Sequence, residues 1–560
     1  MDFQELTYSI ARSYVLDHSR DVPTAVSNRV LGWIRSRDLQ ALSSCSNLLE
    51  AHESSFQCHR FLLQVEAFFK KNDVFTVEEE ATAKAVDSFF KAEAICRDTN
   101  NRLDSFYSEE TSEDMEELTT LIGRAQQWIA DTLGDELPPR EILEGVRLTA
   151  GATATRPRSK AQPHRKVRKR VTSTFGAYRY LSAISEAYGY GKLNHTWINW
   201  NRVQFVPKTW KTHRTIACEP DENIPVQLAI DSAIKKRLLR RDLNLGDQSR
   251  NQLFAMRGSL RDDVATIDLE MASDTLAMNA VVLLLPQKWV EMLASLRAPF
   301  GRLPDGQKLK YEKFSSMGNG YTFTLETLIF ASLCHAVGAS SHEFVVYGDD
   351  IAIMSRYAER LIALLKYLGF VPNMQKTHLA GPYRESCGQH WHDGRLITPF
   401  YLRTVSDRKP VLSHIVNGLA WVSISGGEVE ALLLRLIREF KLPLVPWNED
   451  SMSGVWVSPN AAYSARVFKT RNSILSYRRL VTQPAKEEHC FDMRGEFLWF
   501  LRAVNPSFSE DPWAPLNRCL QVSRTTLRSR YRERRGTYNV PLVACPDHLY
   551  LWSGPFVSGV

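Results

Sequence analysis

Two apolar runs, FVVY and IAIM, flank Gly348-Asp349-Asp350 in the segment 344–354, a pattern that predicts a tight hairpin whose turn presents carboxylates. The run VATIDL at 264–269 predicts a buried strand with Asp268 at its end. After the hairpin the spacing becomes helical. Leu361, Ile362, Leu365 and Leu368 share one face of SRYAERLIALLKYLGF, with Ser355 placed as N-cap and Gly369 as the stop. Upstream, Met317-Gly318-Asn319-Gly320 reads as a flexible loop feeding a helix over YTFTLETLIFASL. Residues 1–150 carry helical periodicities, 262–403 alternate short β-rich runs with helices, and 404–560 are mixed.

Composition narrows the class. A chain of 560 residues suggests about three to five folding units at roughly 100–200 residues each. Hydrophobic residues at 44% and charged residues at 24% exclude wholesale disorder and fibrous repeats. The net charge of +7 permits a nucleic-acid partner without requiring one, so its distribution matters more. Arg156–Arg170 holds eight Lys/Arg, no acid and two prolines, and reads as an exposed basic loop that either contacts phosphates or is a solvated linker. A second basic cluster, SRTTLRSRYRERR, lies at 523–535, and the acidic run EETSEDMEE at 109–117 reads as a solvated face. Nine scattered cysteines without a CxxC pair, and an N-terminus without a basic and apolar leader, suggest a reduced, cytosolic chain. No apolar stretch approaches the roughly 20 residues of a bilayer span, so no membrane anchor is expected.

Asp268, Asp349 and Asp350 on two strand ends are the minimum for a two-metal phosphoryl-transfer site, and Mg²⁺ suits such a set of hard oxygens. Taken alone, an Asp-Asp pair in a turn is equally ordinary turn chemistry. Lys208, Lys211 and Arg214 recur at three-residue spacing behind Pro207, able to cradle a triphosphate or to form a solvated face. Cys387, His390 and His392, with His378 nearby, lack the paired spacing of a zinc knuckle, and a zinc site is rejected.

Tyr347-Gly348-Asp349-Asp350 with IDLEMASDT (267–275) resembles motifs C and A of viral RNA-directed RNA polymerases. SSMGNGYTFTLETLIF (315–330) resembles motif B, VPKTWKTHRTIACEP (206–220) the basic motif F, and RESCGQHWHDGRLITPFYLR (384–403) the segment after the palm. With LNLGDQSRNQ (243–252), these strings resemble the replicase catalytic (beta) subunit of the leviviruses, the small positive-strand RNA bacteriophages, from about 200 to 403.

The resemblance implies an α+β right-hand polymerase with fingers, palm and thumb, its antiparallel palm sheet packed on helices. It implies a palm at 262–403; outside the matched range, length and order place a mostly helical region contributing to the fingers at 1–150, fingers at 151–261 and thumb with C-terminal region at 404–560. Asp268 and Asp349 then ligate two Mg²⁺ ions, replaceable by Mn²⁺, with Asp350 in support. Lys208, Lys211, Arg214, Gly318, Asn319 and Gly320 bind the nucleotide, and Lys376 matches the lysine that protonates pyrophosphate. Asp274 would sense the ribose 2′-hydroxyl, with a helix N-cap as its plain alternative. Arg165, Lys166, Arg168, Lys169 and Arg170, and Arg528, Arg530 and Arg532, could line a template or product channel. The chain departs from the family pattern at Thr324, where an acid is expected, and at Glu270 and Met271, which replace small residues. The implied activity is replication and transcription of a phage RNA genome in the cytoplasm of the infected bacterium, on RNA template and product with ribonucleoside triphosphates. Elongation factors Tu and Ts and a ribosomal RNA-binding protein are the implied host subunits. A reverse transcriptase and a catalytically inactive palm-fold RNA-binding protein are the alternatives.

Overall fold

The computed structural model describes residues 2–48, 55–106, 113–147, 149–161, 171–187, 195–447, 449–457, 469–471, 474–482 and 531–539. It opens with helices. In α1 (Phe3–His18) the Asp2 carboxylate accepts the N–H groups of Gln4 and Glu5, and Leu6, Ile10 and Tyr14 repeat on the buried face. Helices α2 (Thr24–Ser36) and α3 (Phe56–Phe69) pack beside it. Their partners come from the far end of the chain. Ile10, Val15, Phe61 and Phe68 share one core with Leu412 and Ile415 of α11 (Lys409–Ala420) and Leu433 and Leu436 of α12 (Glu428–Phe440). Asp17 ends that interface electrostatically, its oxygens accepting Glu428 N–H at 2.7 Å and Val429 N–H at 3.0 Å at the positive end of α12.

The second and larger core joins α4 (Glu78–Asp104), α5 (Glu113–Leu133), α6 (Asn223–Leu239), α8 (Met278–Leu284), α9 (Thr322–Ala336) and α10 (Ala358–Tyr367) to a three-stranded sheet. Helix α7 (Ser249–Arg261) covers the same sheet through Phe254. The strands of that sheet are β3 (Val264–Ile267), β7 (Phe344–Tyr347) and β8 (Asp350–Met354), all antiparallel, with β8 in the middle. Helix α9 is apolar nearly all round, as a helix in the middle of a large domain must be. Separately, β1 (Trp200–Pro207), β2 (His213–Cys218), β5 (Phe300–Arg302) and β6 (Lys308–Lys310) form a mixed sheet in the order β2-β1-β5-β6, backed by Phe89 of α4. Leu269–Glu270 (β4) pairs with Val371–Pro372 (β9), and Tyr383–Ser386 (β10) with Gln389–His392 (β11).

The first 150 residues thus divide between two cores. The apolar face of α10 is as the periodicity predicts: Leu361, Leu365 and Leu368 are fully buried, and Gly369 stops the helix at φ +92°. Ser355 is not its cap. It opens a short 3-10 turn, Ser355–Tyr357, and its N–H is taken by Asp263 O at 2.9 Å. Near the C-terminus Ile474–Thr482 pairs antiparallel with Tyr531–Asn539. No helix among the described residues is long and apolar enough to cross a membrane.

Candidate active site

The carboxylates sit where three strands end. Ile267 of β3 pairs with Ile351 of β8, so continuing the antiparallel register by one residue sets Asp268 across from Asp350. Asp350 pairs with Tyr347, which leaves Gly348-Asp349 as a two-residue hairpin turn. Gly348 has φ +63°, and a side chain there would collide with Phe323 of α9. Its N–H donates to Thr327 Oγ1 at 2.9 Å, so the turn is fixed to the buried helix rather than left to move.

Burial and neighbouring negative charge raise the pKa of two of the three carboxylates. Asp350 is pushed up to about 7, mainly by burial and further by Asp349, Asp268 and Glu385, against the Cys387 N–H that donates to its Oδ1 at 3.1 Å. Asp268 is raised by burial and by Asp349 and Glu385, against Lys376. Among the described residues no three His, Cys, Asp or Glu side chains could hold a metal ion by themselves. Hard oxygens that repel one another, one of them already taken by a backbone N–H, fit an ion completed by water and substrate phosphates.

Cations face this group. Lys376 Nζ lies 3.4 Å from Asp268 Oδ2, and Asn373 Nδ2 donates to the same oxygen at 3.2 Å. Burial opposes the Lys376 charge, but Asp268, Glu385 and Asp350 hold its pKa above the ordinary lysine value. Lys208 begins the β1–β2 loop, and the charges that act on it are those of Arg214, Lys376, Asp268 and Asp349. Lys211 stands elsewhere. It lies among Lys84, Glu66 and Lys70, with Trp210 at 5.2 Å from its Nζ.

Gly318 and Gly320 are needed by the protein's own packing. A side chain at Gly318 (φ +111°) would strike Ala217 O of β2, and one at Gly320 would meet Gln227 of α6 at 2.8 Å. Asn319 between them is 7% exposed, with Oδ1 accepting Tyr321 N–H and a buried Nδ2 that has no partner. Cys387 and Gly388 form the β10–β11 turn with φ +47° and +72°. There His390 Nδ1 meets the Tyr383 hydroxyl at 2.6 Å and His392 Nδ1 meets Asp393 at 3.0 Å, which accounts for these histidines.

The model of the RNA replicase beta-chain family matches residues 17–481. The chain belongs to that family. Among curated relatives, the RNA-directed RNA polymerase subunit beta of Escherichia virus Qbeta is 40% identical over 362 residues, 64% of this chain and 61% of that protein. That of Qbeta virus strain MX1 is 33% identical over 516 residues, 87% and 85% of the two chains. The beta chain of Escherichia phage MS2 is 37% identical over 239 residues, 42% and 44%. The matches to Qbeta and MS2 thus span less than two thirds of those proteins. A solved human picobirnavirus RNA-dependent RNA polymerase is similar only loosely, at 17% identity and TM-score 0.29 over 43% of this chain and 57% of that one.

Within this replicase chain the carboxylates have a second layer, of which the sequence singled out Asp274 but not Lys313, Glu93 or Arg384. Asp274 does not cap α8, whose N-cap residue is Ala277. Its Oδ1 accepts Lys313 Nζ at 2.8 Å, and Lys313, 1% exposed, also reaches Glu93 Oε1 at 3.3 Å. Arg384, fully buried, donates to Val264 O at 2.6 Å and Asp262 Oδ1 at 2.8 Å, tying β10 to β3. Thr324 is buried with its hydroxyl on Tyr321 O at 2.9 Å, and Glu270 is exposed in β4. In the basic loop, Arg156 donates to both oxygens of Asp221 at 3.1 and 3.2 Å and is no free phosphate ligand. Arg165, Lys166, Arg168, Lys169, Arg170, Arg528 and Arg530 lie outside the described residues; the backbone of Arg532 pairs with Val481.

Glu326 of α9 is 3% exposed and its Oε1 has no partner. Burial and the charges of Asp349 and Asp274 push its carboxyl up to about 8, against a hydrogen bond from Ser273. A carboxyl raised in the folded state binds a proton that the unfolded chain has lost, so its contribution to stability is full below about pH 4.5 and falls as pH rises through about 8. Glu326→Gln is therefore expected to flatten the decline in stability between those pH values by about 1–3 kcal/mol. Urea midpoints across that range for parent and variant check this; parallel profiles would contradict it.

Proposed function

We propose that the chain is the catalytic subunit of an RNA-directed RNA polymerase that replicates and transcribes a single-stranded RNA phage genome. One observation carries the reading: Asp268, Asp349 and Asp350 converge at one end of the β3-β8-β7 sheet, with Lys376 on Asp268 and Lys208 within reach of the Asp268 and Asp349 charges. Residues 262–403 are then the palm, 151–261 the fingers and 404–560 the thumb. Helix α4 backs the β2-β1-β5-β6 sheet, which joins strands of the 151–261 and 262–403 ranges, and α1 to α3 sit against α11 and α12 of the thumb.

Asp268 and Asp349 would hold the two Mg²⁺ ions, or Mn²⁺ in their place, with Asp350 behind them. The ions supply an activated 3′-hydroxyl and neutralise the charge developing on the phosphates. Lys208 and Arg214 hold the triphosphate in line with the growing RNA end. Lys376 gives a proton from Nζ to the departing pyrophosphate. RNA template, RNA product and ribonucleoside triphosphates are its ligands, and elongation factors Tu and Ts with a ribosomal RNA-binding protein are its expected host subunits in the bacterial cytoplasm. The deciding experiment supplies the purified full chain, with and without host lysate, with a phage-like RNA and labelled ribonucleotides. Copying of the RNA is expected; no incorporation in either condition, or a preference for deoxynucleotides, would defeat the proposal.

With Oδ1 fixed by Lys313, Asp274 keeps Oδ2 to accept the ribose 2′-hydroxyl. A site built around that hydrogen bond disfavours the sugar lacking it. Asp274→Asn is expected to narrow the preference for ribo- over deoxynucleotides by about tenfold or more, the worth of one hydrogen bond to a charged group. Single-nucleotide extension with each sugar measures the ratio, and an unchanged ratio removes Asp274 from sugar selection.

A further inference from the structure

Lys376 borders two spaces. Besides its contact with Asp268, it lines a cavity of about 290 Å³ whose wall includes Lys70 and Lys71 just past α3, His59, His378 and Tyr401. Two acids, Glu66 and Glu385, also line the cavity. Glu66 pairs with Lys70 and accepts Ser46 N–H at 3.1 Å, and Glu385 lies 3.5 Å from His390 Nε2. Lys71 is different. It has no ion pair among the described residues, and its Nζ stands 4.1 Å from the ring centre of Tyr401. Burial, reinforced by the like charges of Arg403, Lys70 and Lys376, lowers its pKa, with Glu385 the one opposing charge among its causes. The neighbouring histidines add hydrogen-bonding groups without charge, since burial holds His59 near 3 and His378 near 4.

A half-buried ammonium set among like charges in a polar cavity is costly unless an anion completes it. Two ammonium groups and neutral imidazoles match a small, multiply charged oxyanion better than a planar base or an apolar ligand. We propose that this cavity binds inorganic pyrophosphate, with Lys71 as its principal ligand and Lys376 as the group shared with the carboxylate site. The source of the ligand rests on the polymerase reading: the 3′-hydroxyl gives its proton to water as its oxygen bonds to the α-phosphorus, the bond from that phosphorus to the α–β bridging oxygen breaks, and pyrophosphate leaves with that electron pair and takes a proton from Lys376, which water then restores. The cavity then receives what the Asp268 site releases, clearing it for the next nucleotide.

Calorimetric titration of the full chain with inorganic pyrophosphate, and separately with ATP, at fixed Mg²⁺ tests this without requiring activity. Lys71→Met keeps the apolar stem on Tyr401 and removes only the charge. It is expected to weaken pyrophosphate by about tenfold or more and ATP by less, while Lys71→Arg retains most of the affinity. Lys288→Met, which loses an exposed charge paired with Glu136, is expected to change neither. Equal pyrophosphate affinity in Lys71→Met and parent, no pyrophosphate binding by the parent, or a loss confined to ATP or to a short RNA would overturn the assignment. Should Lys71→Met fail to fold, Lys71→Gln takes its place with the same expectation in direction. Lys71-dependent binding in a chain that extends no RNA would support the cavity and defeat the polymerase reading instead.

Discussion

Asp349→Asn is expected to lower nucleotide addition by about three decades or more while the chain still folds and binds RNA. Asp349 is the second residue of a two-residue turn, and its neighbours Gly348 and Asp350 are fixed by Thr327 and Tyr347, so an isosteric amide leaves the hairpin in place. What is lost is one of the hard oxygen donors and the negative charge that goes with it. Removal of transition-state charge stabilisation of several kcal/mol corresponds to a thousandfold or more in rate, at about 1.4 kcal/mol per tenfold. Single-turnover extension under saturating nucleotide separates this from a binding defect. Activity above about a tenth of the parent's would show that Asp349 holds no essential position.

Lys313→Met is expected to destabilise the chain by about 3–5 kcal/mol, more than any other single change considered above. The ammonium is 1% exposed and lies between Glu93 and Asp274, with the rings of Phe89 and Tyr311 at 4.4 and 5.0 Å. Met fills a similar volume, so the loss is chiefly electrostatic: the buried Glu93 and the partly buried Asp274 are left without their cation. Burial already raises the Glu93 pKa with Lys313 present, and removing the lysine takes away its main opposing charge. Equilibrium denaturation gives the number directly. A double variant, Lys313→Met with Glu93→Gln, is expected to recover part of the loss; no recovery would place the cost elsewhere.

The carboxylate edge was legible because its signal is local. An apolar run, a Gly-Asp-Asp triplet and a second apolar run have few structural solutions other than a hairpin, and VATIDL needed only a partner strand. Lys313 was not legible: a lysine in the string YEK reads as surface, and its partners are about 220 residues upstream in Glu93 and about 40 upstream in Asp274. Glu326 was hidden in the same way, since only the packing of α9 against the sheet reveals that its carboxyl is buried. Gly318 and Gly320 were recognised as necessary but for another reason, because contact with β2 and α6 cannot be read from one loop. Lys208 and Lys211 share a spacing yet diverge in space, since the loop between paired strands turns successive cations to different neighbours.

The core shared by α1, α2 and α3 with α11 and α12 sets an order of events during synthesis. Phe61 and Phe68 leave the ribosome about 350 residues before Leu412 and Ile415 exist to cover them. At roughly 5–20 residues per second, the first helices wait some tens of seconds with apolar faces open. A chain released before residue 409 lacks both partner helices, including one that already carries all three aspartates. Premature termination thus yields an aggregation-prone product with the polymerase edge in its sequence but without the contacts that close its first core, which ties enzyme production to near-complete translation of the message.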